Sequence, residues 1–170
     1  VIINGWIGEH GAAVMSARKD YKLRNSIESD CACLNGLIGK VLAVTPRVHV
    51  MRDPTRGGVA TTLKEISAQS NIEIVIEEDA LPITDPVRGF CEILGIDPLY
   101  MANEGKILVF APEKDAKRIV SSMKRHPLGK NAAVIGRVTS EGDPQVLLHT
   151  SIGSTRIVDM LTGEQLPRIC

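Results

Sequence analysis

Four short stretches contain residue types that could do chemistry. The first, Arg52-Asp53-Pro54-Thr55-Arg56-Gly57-Gly58, falls between an apolar run and a helical one. A helix N-terminus presents unpaired N–H groups and a partial positive charge, so such a junction can receive an anion. Gly57 and Gly58 would let a phosphate approach the backbone, Arg52 and Arg56 would add charge, and Asp53 or Thr55 could cap the helix. The plainer alternative is a tight strand-to-helix turn with solvated arginines. The second stretch, Ala102-Asn103-Glu104-Gly105-Lys106, puts a carboxylate in a loop beside a glycine. Glu104 there could act as a general base or hold Mg²⁺, or it could be a solvated turn residue. The third, Gly5-Trp6-Ile7-Gly8-Glu9-His10-Gly11, could face a nucleotide, although such a loop is more often a connector in which His10 caps or bonds to backbone. The fourth is the ending, Pro167-Arg168-Ile169-Cys170. Pro167 prevents helix and removes a donor, so an extended, mobile arm is expected there. A terminal thiol on such an arm is accessible, and Arg168 favours its thiolate while the terminal carboxylate opposes it. A chance cysteine at a frayed end is the alternative.

The remaining cysteines, Cys31, Cys33 and Cys91, match no zinc spacing. Cys31 and Cys33 fall in a segment read as helix, where residues two apart face different ways and chelate poorly. They are read as small buried hydrophobes in a reducing, cytoplasmic compartment. No metal site is expected from this chain's own side chains.

The 170 residues fit one domain, with 44% hydrophobic residues for a core and only 3% aromatics. The core must therefore be aliphatic, and stacking on bases is an unlikely theme. Lys plus Arg and Asp plus Glu balance at 20 each, which provides no field for nucleic acid or anionic lipid. The basic run from Lys114 to Arg125 is interrupted by Asp115, Ile119, Val120 and Met123, the pattern of a solvated helix face. No apolar stretch is long enough to span a membrane. Val1-Ile2-Ile3-Asn4 reads as a strand already under way without a preceding Met, so the chain is expected to begin inside a longer protein.

The elements that would position these residues follow from periodicity. Strands are expected at 1–4, 48–51, 72–76, 107–110, 132–138 and 145–149, and a further one at 156–159. Helices are expected at 12–18, 31–44, 59–69, 85–94 and from Pro112 to His126. Asp85 should cap the fourth helix, with Pro86 at its first position and Gly95 closing it. The mixture gives an α+β domain over residues 1–160, a mixed sheet covered by helices, followed by a flexible tail over 161–170.

Taken together the stretches resemble the HypE family of hydrogenase-maturation proteins. The matching pieces are Ile7 to Gly11, Met51 to Gly58, Leu94 to Tyr100, Ala102 to Lys106 and Gly163 to Cys170, in order across nearly the whole chain. The Asp53 to Gly58 stretch resembles a wider ATP-using superfamily that includes aminoimidazole ribonucleotide synthetase and selenophosphate synthetase. The ending Pro-Arg-Ile-Cys is the specific part, and Trp6 departs from the smaller residues expected there. The resemblance implies an ATP-dependent carbamoyl dehydratase. HypF would carbamoylate Cys170, and ATP would then drive dehydration of the S-carboxamide to a thiocyanate. The cyanide would pass to iron on the HypC–HypD complex for [NiFe]-hydrogenase. Glu104 matches the position suited to the base. Asp53, Thr55, Arg56, Gly57, Gly58, His10 and Asn103 would lie at the nucleotide. Most ATP and Mg²⁺ contacts, and the homodimer interface, would belong to an N-terminal domain absent from this chain. Two rivals stay open: a small-molecule synthetase of the same superfamily that does not need Cys170, and a docking and carrier module inactive alone.

Overall fold

The computed structural model describes residues 1–17 and 27–160. The chain is α+β, as expected, but it builds two four-stranded sheets rather than one. The first has the order β2 (Val50–Arg52), β4 (Leu108–Phe110), β1 (Ile2–Ile3), β5 (Ala133–Val134), with every pair antiparallel. The second runs β6 (Gly136–Glu141), β3 (Ile72–Glu77), β7 (Val146–His149), β8 (Thr155–Ile157). Only its β3–β7 pair is parallel.

The apolar run expected as a single strand over 132–138 is divided between the sheets at Ile135. Its N–H donates to Val1 O and its carbonyl accepts from Glu77, each at 2.9 Å. The residue thereby bonds toward one sheet with its amide and toward the other with its oxygen. Gly136 is needed just after this step, because a Cβ there would lie 2.2 Å from Val75 O.

The strands distribute their side chains by the two-residue alternation of the pleat. Ile3, Leu108 and Phe110 enter a core shared with Ile74 and Ile76 of β3, Val146 and Leu148 of β7, and Val59, Ala60, Leu63 and Ile66 of α3 (Gly58–Ser70). Ile2 and Val109 point the other way, onto Leu37 and Val41 of α2 (Asn35–Val44) and Ile119 and Met123 of α5 (Glu113–Lys124). A third cluster joins Ala12 and Met15 of α1 (Glu9–Ala17) to Val87, Phe90 and Cys91 of α4 (Asp85–Leu94) and to Met101. Burying each such aliphatic side chain contributes about 1.5–3 kcal/mol.

Helix ends follow local chemistry, with two departures from expectation. Thr84, not Asp85, caps α4: its Oγ1 accepts from Val87 N–H, and Asp85 is the first helical residue. Gly95 closes α4 at φ 66°, as read from the sequence. Helix α2 starts at Asn35, so Cys31 and Cys33 lie outside it and are exposed rather than buried. The weak helix formers Gly36 and Gly39 sit within α2.

Most charges of α5 face water, but Asp115 turns inward. Its carboxylate accepts from Arg47 Nε at 3.1 Å, from Arg47 Nη2 at 3.0 and 2.8 Å, and from Thr45 Oγ1 at 3.0 Å. The Arg47 bonds hold the Asp115 carboxyl below its ordinary value of 3.8, against the opposing effect of burial. A lowered carboxyl pKa stabilises the fold above the unfolded value, and that contribution is lost as pH falls through the folded one. Asp115→Asn should therefore lower the urea midpoint of unfolding at pH 7. The gap from the parent protein should narrow as the pH approaches and passes below 3.8.

Candidate functional site

Three of the four chemical stretches converge on one buried side chain. Asn103 is fully buried. Its Oδ1 accepts the Gly8 N–H at 2.8 Å, and its Nδ2 donates to Pro54 O and Met101 O at 3.0 Å each. One amide thus joins the 5–11 loop, the 52–58 loop and its own loop. Asn103, expected at the nucleotide, spends these amide contacts on the protein and acts as the tie between loops.

The glycines at this junction are required by close approach. Gly8 has φ 83°, and a Cβ there would meet Val87 and Met101. Gly58 has φ 63°, and a Cβ would fall 2.5 Å from both Leu99 O and Met101 O. A Cβ on Gly11 would lie 2.9 Å from Ala102 N, and Gly11 N–H donates to Ala102 O at 3.0 Å.

The 52–58 loop opens α3 differently from the sequence reading. Neither Asp53 nor Thr55 caps the helix. Gly57, at φ 72°, occupies the cap position without a side-chain hydrogen bond. Gly58 N–H donates to Thr55 O at 3.1 Å, so Thr55 contributes a carbonyl rather than its hydroxyl. Arg52 is engaged with Glu65 at 2.8 Å, while Asp53 and Arg56 are exposed. A thirteen-residue helix without a side-chain cap, with glycines at its start and Arg56 beside it, has the donor set a phosphate needs.

Glu104 is partly exposed, and its carboxylate has no hydrogen bond or ion pair to another described residue. Its backbone N–H is held by Asp30 Oδ1 at 3.0 Å. Asp30 Oδ2 lies 2.7 Å from Lys106 Nζ, and Glu9 Oε2 lies 3.6 Å from the same ammonium. Burial raises the Glu9 carboxyl above its ordinary value, Lys106 opposes this, and Asp30 adds to it. His10 Nδ1 pairs with Ser29 Oγ at 2.8 Å. His10 and Glu104 thus both touch the segment around Ser29 and Asp30. Among the described residues no group of three or more His, Cys, Asp or Glu is placed to hold a metal. Cys170 lies outside the described residues.

Sequence reasoning missed Asp30 and Asn4. Asp30 falls between the helices expected at 12–18 and 31–44, and its one signal was a carboxylate directly before an apolar run. Asn4 followed two isoleucines and looked like the end of a strand. It is buried: its Oδ1 accepts from Ile107 N–H at 2.7 Å, and its Nδ2 donates to Gly105 O at 3.2 Å and Leu128 O at 2.8 Å.

The model of the family described as AIR synthase related protein, C-terminal domain, matches residues 1–149. The carbamoyl dehydratase HypE of Rhodobacter capsulatus is 50% identical over 169 residues, covering 99% of this chain and 50% of the relative. A crystal structure of hydrogenase maturation protein HypE in complex with ATP aligns with a TM-score of 0.92 at 42% identity, over 99% of this chain and 52% of that one. A HypE–HypF complex aligns with a TM-score of 0.89 at 45% identity, over 94% of this chain and 52% of that one. The chain spans about half the length of the curated relatives it matches.

Replacing Asn103 with Leu keeps the bulk but leaves the Gly8 N–H and the Pro54 and Met101 carbonyls without this partner. Each buried orphan costs about 1–3 kcal/mol. Asn103→Leu should therefore lower stability by at least about 2 kcal/mol in urea denaturation of the 170-residue chain.

Proposed function

Because this chain belongs to the AIR synthase related protein C-terminal domain family and matches HypE dehydratases along its length, we propose that it is the acceptor- and base-bearing half of an ATP-dependent carbamoyl dehydratase. The observation that carries the reading is the convergence of the Glu104 loop, the Gly8 loop and the start of α3 on Asn103. It brings a carboxylate free of partners among the described residues onto the same framework as a glycine-led helix N-terminus.

In this reading the Cys170 thiol receives a carbamoyl group from a HypF-type transferase, giving an S-carboxamide. The carboxamide oxygen is a poor leaving group. Transfer of the terminal phosphoryl group of ATP to that oxygen lets it depart as phosphate. The nitrogen gives up both its protons, the carbon–oxygen bond breaks, and a thiocyanate remains on Cys170. Glu104 takes an N–H proton as the phosphate leaves. The Asp53, Thr55, Arg56, Gly57 and Gly58 stretch lies on the phosphate side, with the α3 N-terminus stabilising developing charge. In the same reading His10, which pairs with Ser29 Oγ, also lies toward the nucleotide.

Most contacts to ATP and Mg²⁺, and the homodimer interface, belong to the half of such a protein that this chain does not span. The ATP-bound HypE structure supports the nucleotide, and the HypE–HypF complex supports the transferase as partner. A HypC–HypD-type complex takes the cyanide. Cys170 must reach the phosphates and then leave to meet its partners, which calls for a mobile arm.

The remaining cysteines differ in chemistry. Cys91 is buried in the cluster between α1 and α4, and burial foremost, then the nearby carboxylate of Asp97, pushes its thiol up to about 11. It is a poor nucleophile. In the protein joined to its ATP-binding half, Cys170→Ala should abolish carbamoyl acceptance from HypF and carbamoyl phosphate, while Cys91→Ala accepts at the parent rate. Intact-mass measurement checks both. Glu104→Gln should accumulate the carbamoylated protein and dehydrate it about 100-fold more slowly in a single turnover with ATP. Thiocyanate formation at the parent rate would show that Glu104 is not the base.

A further inference from the structure

One carboxylate holds both ends of the tripeptide that carries Glu104. Asp30 Oδ1 accepts the Glu104 N–H at 3.0 Å, and Asp30 Oδ2 meets the Lys106 ammonium at 2.7 Å. Between them lies Gly105, where a Cβ would be only 1.8 Å from Asp30 O and 3.2 Å from the Ala32 side chain. The backbone around Asp30 therefore crosses directly over the Glu104–Lys106 loop. From the other side, Asn4 donates to Gly105 O at 3.2 Å. The Glu104 backbone is gripped from two elements, while its side chain stays free of partners among the described residues.

The pair is also expensive. The Asp30 and Lys106 side chains are only 2% and 9% exposed. Removing two charges from water costs several kcal/mol each, and buried ion pairs are often no more stabilising than apolar residues of the same size. Net stability is thus a weak reason for keeping this cluster, which directs attention to what it positions. The charges that face Lys106 are Asp30 from the segment before α2 and Glu9 from α1, the latter at 3.6 Å.

We propose that Asp30 is a positioning residue for the dehydration: anchored on Lys106, its carboxylate holds the Glu104 N–H and so aims the Glu104 carboxylate at the reacting carboxamide. This rests on Glu104 being the base. Asp30 does not touch substrate and acts through Glu104, so its effect must vanish when Glu104 cannot act.

The test uses the protein joined to its ATP-binding half, loaded with the carbamoyl group and mixed with ATP. Mass spectrometry then follows loss of one water in a single turnover. Asp30→Ala should slow this step roughly 10- to 100-fold, the scale of a misplaced catalytic group. Carbamoyl loading and the ATP concentration giving half-maximal rate should not change. Asp30→Asn still offers an oxygen to the Glu104 N–H and should recover part of the loss. In a Glu104→Gln background, Asp30→Ala should cost less than about threefold, because residues acting as a unit are not additive. Equal costs in both backgrounds would overturn the proposal while leaving Glu104 as the base. Dehydration at the parent rate in Glu104→Gln would remove the base assignment, and this proposal with it. If Asp30→Ala fails to fold, Asp30→Asn carries the test alone: a slowed step that Glu104→Gln masks supports the proposal, and an unmasked or absent effect refutes it.

Discussion

The site depends on a single buried amide. Asn103 can donate and accept at once, and it uses both capacities to hold three loops that are far apart in sequence. No aliphatic residue could do this, because the Gly8 N–H and two carbonyls would be left unpaired away from water. The demand spreads outward. Loops drawn this close exclude Cβ atoms, which is why Gly8, Gly11 and Gly58 surround the junction. The core cluster of α3 and the cluster of α1 and α4 then hold those loops from behind.

A second layer is electrostatic. Glu9, Asp30 and Lys106 place two carboxylates around one ammonium beside the Glu104 loop, and Asn4, directly after β1, holds the same loop. These charges are committed to one another, while the Glu104 carboxylate beside them has no partner among the described residues. Division of labour within a few residues is what a general base requires: a fixed backbone and an unengaged side chain. Among the described cysteines, Cys91 is set apart by burial, which pushes its thiol up to about 11.

Local chemistry was legible in the sequence where it is short-range. The Gly95 stop of α4 and the aliphatic core follow from residue type and spacing, whereas the cap of α3 falls to Gly57 rather than to Asp53 or Thr55. Non-local pairing was not legible. The run over 132–138 reads as one strand, yet Ile135 sends it into two sheets, because the decision lies in bonds to Val1 and Glu77. Cys31 and Cys33 looked helical and buried, but α2 begins only at Asn35 and both are exposed, just after the Asp30 that is tied to the Glu104 loop. Asn103 was recognised as part of the site, while its role as a tie depends on partners 49 and 95 residues away. Asp30 gave no periodic or motif signal because its partners are 74 and 76 residues distant.

The proposed division of labour gives this half the acceptor thiol and the base and the other half the nucleotide. The most direct measurement is mass spectrometry of the C-terminal peptide after incubation with HypF, carbamoyl phosphate and ATP. It would be run on this chain alone and on the chain joined to the ATP-binding half. A carbamoyl adduct on Cys170 that loses one water only in the joined protein is the expected result. An unmodified Cys170 in the joined protein would contradict the account and point to a superfamily enzyme acting on a free small molecule.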